Sequence, residues 1–273
     1  MPLRPLQKLL VALLASLATP LAAQDRIPSH CLAFAEGPES LVRAGFRDPV
    51  PQDAVRLSYI DHAMFLLQTP GGLSAVTDYS GYIGPADFVP TIVTMNIAHG
   101  THHTRFPDPA IDHVLEGWDR DGAAADHHLD LGEMLVRNVP TDIRAEGGRV
   151  RPDGNSIFVF EAAGLCIGHM GHLHHEPTPE DYALLGRLDV VMIAVDGGLT
   201  LDLPTVVDVM QRLRASIVIP MHWFGPATLD RFVAAMAGDF AVERPGTSEI
   251  LLSREALPAR PTVMVLTPRP LDD

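Results

Sequence analysis

The sequence predicts an α/β fold in which β-sheets are covered by helices, and three observations carry that prediction. Strand-like hairpin segments come first, alternating strand and helix signals follow, and continuous apolar runs of strand length sit in the second half. Residues 55–60, 63–68 and 73–78 read as three short strands, separated by Asp61-His62 and by the turn Pro70-Gly71-Gly72. Residues 90–95 (PTIVTM) give a fourth strand, and residues 108–116 a short helix. Residues 134–139 and 156–161 are strand-like, the second entered through the turn Pro152-Asp153-Gly154-Asn155. Residues 165–168 form another strand. Thr178-Pro179 opens a helix expected to run to residue 188, with threonine as N-cap and proline at the first helical position. Residues 189–195 (DVVMIAV) make a continuous apolar strand. Asp202 caps a helix over 203–213, where Val206, Val207, Met210 and Leu213 recur at helical spacing. Residues 216–221 (SIVIPM) are a second buried strand, 228–237 an amphipathic helix ended by Gly238, and 250–252 and 263–266 closing strands. Glycine and proline are spread along the chain without a linker, so residues 24–273 are expected to form one domain.

The first 23 residues are read apart from that domain. Arg4 and Lys8 precede the apolar run of residues 9–17 (LLVALLASL), and mostly small residues end at Ala22-Ala23. This is the outline of a secretory signal peptide, with an uncleaved amphipathic anchor as the alternative. The run is too short for a membrane span of roughly 20 residues. The expected location is therefore periplasmic or secreted, with no membrane attachment after cleavage. The 273-residue chain carries 34 acidic against 20 basic residues and no Lys/Arg cluster, which argues against nucleic acid as a partner. Export permits a disulfide between Cys31 and Cys166. The apolar surroundings of Cys166 equally suit a buried free thiol.

Histidine is the anomaly. Of 13, His99, His102 and His103 fall within one short segment (HGTHH), and His169, His172, His174 and His175 within another (HMGHLHH). His62 follows the first strand and His222 ends the strand SIVIPM. Ligands at strand ends converge on one sheet edge, and imidazole is a common ligand of zinc and other transition metals. Each ligating imidazole needs its other nitrogen held by an acceptor, which Asp78, Asp126 or Asp196 would supply, or these would ligate directly. His30, His113, His127 and His128 read as ordinary surface or core histidines. Trp118, Trp223 and Phe224 either line a pocket or belong to the core.

Four segments resemble the metallo-β-lactamase superfamily, in particular its branch containing L-ascorbate-6-phosphate lactonase. They are SYIDHAMFLLQTPGGLSAVTDY, IVTMNIAHGTHHT, GNSIFVFEAAGLCIGHMGHLHHEPTPED and DVVMIAVDGG…IVIPMHWFG, which together span residues 55–225. The resemblance implies a four-layer αββα sandwich. It also implies that Ile97 stands where the family's HxHxDH motif has its first histidine. His99 then takes the second histidine, Thr101 the aspartate and His102 the last histidine. His172 stands at the metal-bridging aspartate and His222 at the terminal histidine. The family's middle histidine has no counterpart near residues 141–143.

The implied metal ligands are His99, His102, His172 and His222, with His62, His169 and His175 within reach. Loss of two motif positions implies one divalent ion rather than two, zinc first and manganese or iron as alternatives. Asp196 and Asp78 are the implied catalytic carboxylates, orienting a ligand or acting as general base. The expected function is an exported metal-dependent hydrolase acting on a small molecule, in which metal-bound hydroxide attacks an ester, lactone, amide or phosphoester. A site closed by four histidines would instead make a non-catalytic metal- or ligand-binding protein on the same fold. Assembly into a homo-oligomer is left open.

Overall fold

The computed structural model describes residues 45–273. Residues 1–23, expected to be a signal peptide, lie outside the described residues, as do His30 and Cys31. The chain runs β1 (Ala54–Asp61), β2 (Met64–Gln68), β3 (Ser74–Val76), β4 (Ile92–Met95), β5 (His113–Glu116), β6 (His128–Asp130), β7 (Met134–Arg144), β8 (Val150–Ala162) and β9 (Leu165–His169). It continues through α1 (Pro179–Leu185), β10 (Val190–Ala194), α2 (Leu203–Leu213), β11 (Ile217–Met221), α3 (Pro226–Met236), β12 (Ala241–Glu243), β13 (Glu249–Ser253) and β14 (Thr262–Met264). Two mixed sheets result, one ordered β13-β1-β2-β3-β4-β5 and one ordered β12-β14-β11-β10-β9-β8-β7-β6. This is the α/β architecture expected, one sheet facing the other. No helix among the described residues is long and apolar enough to cross a membrane.

The period-2 alternation of strand side chains sorts the core into layers. Val190, Met192 and Ala194 of β10 point between the sheets, where they meet Leu57 and Phe65 of the first sheet and Phe158 and Phe160 of β8. Val191 and Ile193 point the other way, against Leu185 of α1, Val206, Val209 and Met210 of α2 and Phe232 of α3. Central strands β10 and β11 pair in parallel and are covered on both faces, which is why both read as unbroken apolar runs. The outer face of the first sheet is covered by a third cluster, in which Tyr79, Ile83, Ile111 and Leu271 pack on Ile60, Leu66, Val76 and Val93.

Helix starts follow the sequence signals. Thr178 forms a reciprocal capping box with Asp181, and Asp202 accepts from the Thr205 N–H at 2.9 Å. Helix α1 ends earlier than expected because Gly186, at φ 66°, turns the chain at Leu185. Helix α3 begins earlier than expected, at Pro226, whose fixed φ suits a first helical position.

Residues 108–116 are not a helix. The Ala110 N–H closes a turn on the Asp108 carboxylate, and residues 113–116 then pair with β4 in parallel as an edge strand. The backbone groups that a helix would have paired internally are thus satisfied by the neighbouring strand. Cys166 is disulfide-bonded, so the free-thiol alternative does not hold.

Candidate metal centre

Both sheets end their strands at one rim, and the site is built across it. The first sheet contributes the β1–β2 turn with His62, the segment after β3 with Asp78, and the loop after β4 with Asn96, His99 and His102. The second contributes the segment after β9 with His172 and His174, Asp196 after β10, and His222 directly after β11. His62, Asp78 and His222 all have left-handed backbones, with φ of 45°, 46° and 58°. Such conformations are costly for residues other than glycine and persist only where surroundings impose them. Here the His62 carbonyl accepts from the His222 N–H at 2.8 Å and from the Tyr59 hydroxyl at 2.7 Å. One backbone contact therefore joins the two sheets and holds two of the strained histidines.

Three imidazoles converge. The ligating ring nitrogens of His62, His102 and His222 all lie within 4.8 Å of one another. Behind His102, Nδ1 is 2.7 Å from Oδ2 of Asp78, whose other oxygen accepts from the Asn96 N–H at 2.9 Å. Behind His222, Nδ1 is 3.0 Å from Oδ2 of Asp196. Asp78 holds the proton of His102 on Nδ1 and so leaves its Nε2 with a lone pair, while Asp196 stands at ion-pair distance behind His222 without an aligned hydrogen bond to its Nδ1. The two Nε2 atoms stand 3.1 Å apart. A proton on Nε2 of His222 or a cation between the two rings satisfies the lone pair of His102 at this distance. With His62 beside them, the donor set fits a divalent cation held by imidazoles that carboxylates orient.

The electrostatics agree with that use. Burial acts to raise the Asp196 carboxyl, but hydrogen bonds from His222, Thr200 and Gly198 outweigh it and hold the group well below the usual carboxylate range. Asp78 is likewise lowered, burial opposing and His102 and the Asn96 N–H prevailing. Burial, with the neighbouring histidines, pushes His62 down to about 4 and His172 to about 3. Burial, with the nearby Arg144 guanidinium, takes His174 to about 4. All three rings are neutral at neutral pH.

A pH dependence follows. Above the ordinary histidine pKa near 6.5 these rings are neutral in folded and unfolded chains alike. Below it, the unfolded chain takes up protons that the folded site refuses until about pH 4 or 3, so stability falls through that window. The chelator-treated protein should therefore show a urea midpoint that drops steadily from pH 6.5 towards 4. A flat or rising midpoint would contradict the buried, neutral assignment.

The other expected site residues divide clearly. His99 is exposed at the rim, its ring 5.7 Å from those of His102 and His172, and it stands outside the close triad that His62 completes. His172 is adjacent, its ring 4.8 Å from that of His102 and 5.0 Å from that of His222. His169 is not a ligand. Its Nε2 donates to the Ala63 carbonyl at 2.7 Å and its Nδ1 accepts from the Gly171 N–H at 3.2 Å, so both nitrogens are spent tying the sheets together. His175 lines a separate cavity with Asp142, Asp153 and Asp181 and does not join the centre.

Asp78 and Asp196 both stand behind ring nitrogens of the histidines, Asp78 fully buried with Oδ1 on the Asn96 N–H and Oδ2 on His102. Asp196 also accepts the Gly198, Leu199 and Thr200 N–H groups and the Thr200 hydroxyl, which leaves no lone pair for a substrate proton. Sequence reading missed Tyr59, Asn96 and Thr200, whose part in the site lies in hydrogen bonds that no spacing encodes. Phe224 is 66% exposed and flanks the centre, its ring 5.5 Å from His62 and 5.4 Å from His222. Trp118 and Trp223 pack partly buried against the cores.

Comparison with known proteins places this geometry. The model of a β-lactamase superfamily domain matches residues 56–222, more than half of the chain. A candidate Zn-dependent hydrolase of the metallo-β-lactamase superfamily from Thermotoga maritima superposes with a TM-score of 0.57 at 24% identity, covering 78% of this chain and 98% of that one. A candidate metal-dependent hydrolase from Parabacteroides distasonis gives 0.51 at 15% identity, covering 67% and 88%. A metallo hydrolase from Ignicoccus hospitalis gives 0.50 at 15%, covering 73% and 99%. At these identities the likeness is one of fold. No curated protein sequence matches the chain.

Proposed function

Since this chain belongs to the β-lactamase superfamily, we propose that it is an exported hydrolase of small molecules that works with a single divalent metal ion. One observation carries the reading. Two imidazoles, each backed by a carboxylate, present their Nε2 atoms to each other at 3.1 Å beside a third imidazole. When bound there, a divalent cation supplies Lewis-acid activation of water and of the scissile group. His62, His102 and His222 hold it, leaving room for substrate. Asp78 fixes the tautomer of His102, and Asp196 lies behind His222. Tyr59 and the His222 backbone hold the main chain of the third, His62, through its carbonyl. Phe224 offers an exposed apolar surface to the part of the substrate next to the reacting bond.

Three further supports apply. A single ion agrees with Ile97, which is buried and brings no donor atom to the motif's first position. An imidazole donor set suits zinc before manganese. The disulfide at Cys166 and the signal-like residues 1–23 favour an oxidising, exported location.

The test is direct. Purified protein should carry one metal ion per chain by elemental analysis. It should also turn over at least one member of an ester, lactone, amide, β-lactam and phosphoester panel, with His222→Ala as the inactive control. Stoichiometric metal without turnover of any substrate would instead favour a metal- or ligand-binding protein, a reading that the loss of donors at Ile97 and Thr101 supports.

A further inference from the structure

Resting on that hydrolase reading, we infer that His172 is a hydrogen-bond donor to the substrate and not a metal ligand. The argument runs through tautomers. The backbone N–H of Arg144 donates to Nδ1 of His174 at 2.8 Å. A backbone amide can only donate, so the proton of this neutral ring sits on Nε2. That Nε2 lies 2.8 Å from Nδ1 of His172, which must accept. The proton of His172 is therefore on its own Nε2.

His172 thus has the opposite polarity to His102. His102 gives its Nδ1 proton to Asp78 and keeps an Nε2 lone pair. His172 receives at Nδ1 and keeps an Nε2–H. To ligate through Nε2 it would have to break the contact with His174 or become an imidazolate. Its ring nonetheless lies within 5.0 Å of those of His102 and His222, where substrate must approach.

The relay is held rigidly. Arg144 ends β7 and is paired with Val150 of β8, while its guanidinium donates to the carbonyls of Gly198, Leu199 and Thr200. That loop is the one wrapped around Asp196, so one arginine sets both the His174 tautomer and the frame behind His222. The His172 backbone N–H donates to Oδ1 of Asn155 at 3.0 Å. Preceding it, Gly171 has φ 63° and could carry no Cβ without coming within 2.6 Å of Asn155.

A neutral N–H at this place stabilises negative charge developing on a carbonyl oxygen. The Arg144 guanidinium is committed to three backbone carbonyls, and Phe224 gives an apolar flank. The donor and its surroundings therefore point to an uncharged acyl substrate, an ester or lactone, before a phosphoester.

The experiment uses the zinc-loaded full chain and needs no turnover for its main readouts. Long-range ¹H–¹⁵N spectra, with the His172 signals assigned by their loss in His172→Gln, should show a protonated Nε2 and an unprotonated, unligated Nδ1. His172→Gln should keep one zinc per chain while His102→Gln loses it. If the hydrolase reading holds, His172→Ala loses about 10²–10³ in kcat on esters, as for removal of one oxyanion donor, and His172→Gln recovers part of it. A His172 proton on Nδ1, a zinc-ligated His172 nitrogen, or loss of zinc in His172→Gln would overturn the inference. Absence of turnover by the wild type would overturn the hydrolase reading alone.

Discussion

Asp78→Asn is expected to weaken metal binding by about 10–100-fold, the range found when a carboxylate behind a ligating histidine is replaced. The cause is a tautomer change rather than a lost charge alone. Asparagine keeps an oxygen for the Asn96 N–H now bound by Oδ1, so its amide nitrogen turns towards Nδ1 of His102. The ring must then accept there and carry its proton on Nε2, aimed at the Nε2 of His222 only 3.1 Å away. The lone pair that would hold the ion is gone although every imidazole remains. Competition against a chromophoric zinc chelator measures the effect. An affinity equal to that of the wild type would show that His102 does not depend on Asp78 for its orientation.

Arg137→Leu is expected to cost about 3–5 kcal/mol of stability, the range for breaking a buried ion pair from one side. Arg137 bridges β7 to β8 and α1. Its Nε donates to the buried Glu161 carboxylate at 2.8 Å, and its terminal nitrogens donate to the carbonyls of Leu184 and Leu185 at 2.8 and 3.0 Å. Removal takes from the buried Glu161 carboxylate its Arg137 partner and uncaps the last turn of the helix. Urea unfolding should show a lower midpoint with an unchanged slope. A single mutant as stable as the wild type would place Glu161 in a wetter environment than its burial implies.

The parts of this fold that were legible in the sequence are those set by local chemistry. Unbroken apolar runs announced β10 and β11, and Thr178 and Asp202 announced their helices through capping side chains. The histidine clusters pointed to a strand-end site, because strand ends are where distant segments meet. What escaped depended on partners remote in the chain. Residues 113–116 look locally ambiguous and become a strand only because β4 lies alongside. The three-residue strands β6 and β12 exist as sheet edges and carry no period of their own. Motif register pointed to His99, whereas the left-handed turn at His62 brings that ring into the triad instead. The polarity of His172 is written in a backbone amide at Arg144, which residue types alone could not reveal.

The seam between the sheets has a consequence for how such a site diversifies. One sheet supplies His62 and His102, the other supplies His222, and the His62 carbonyl is held by the hydroxyl of Tyr59, whose ring stacks on that of Phe65 with centroids 4.3 Å apart. Donor spacing is thus a dimension of the interior. A change of side-chain volume in that layer shifts one wall of the coordination cage relative to the other. Substitutions in that layer, touching none of the three imidazoles, are therefore expected to change the spacing between His62 and His222.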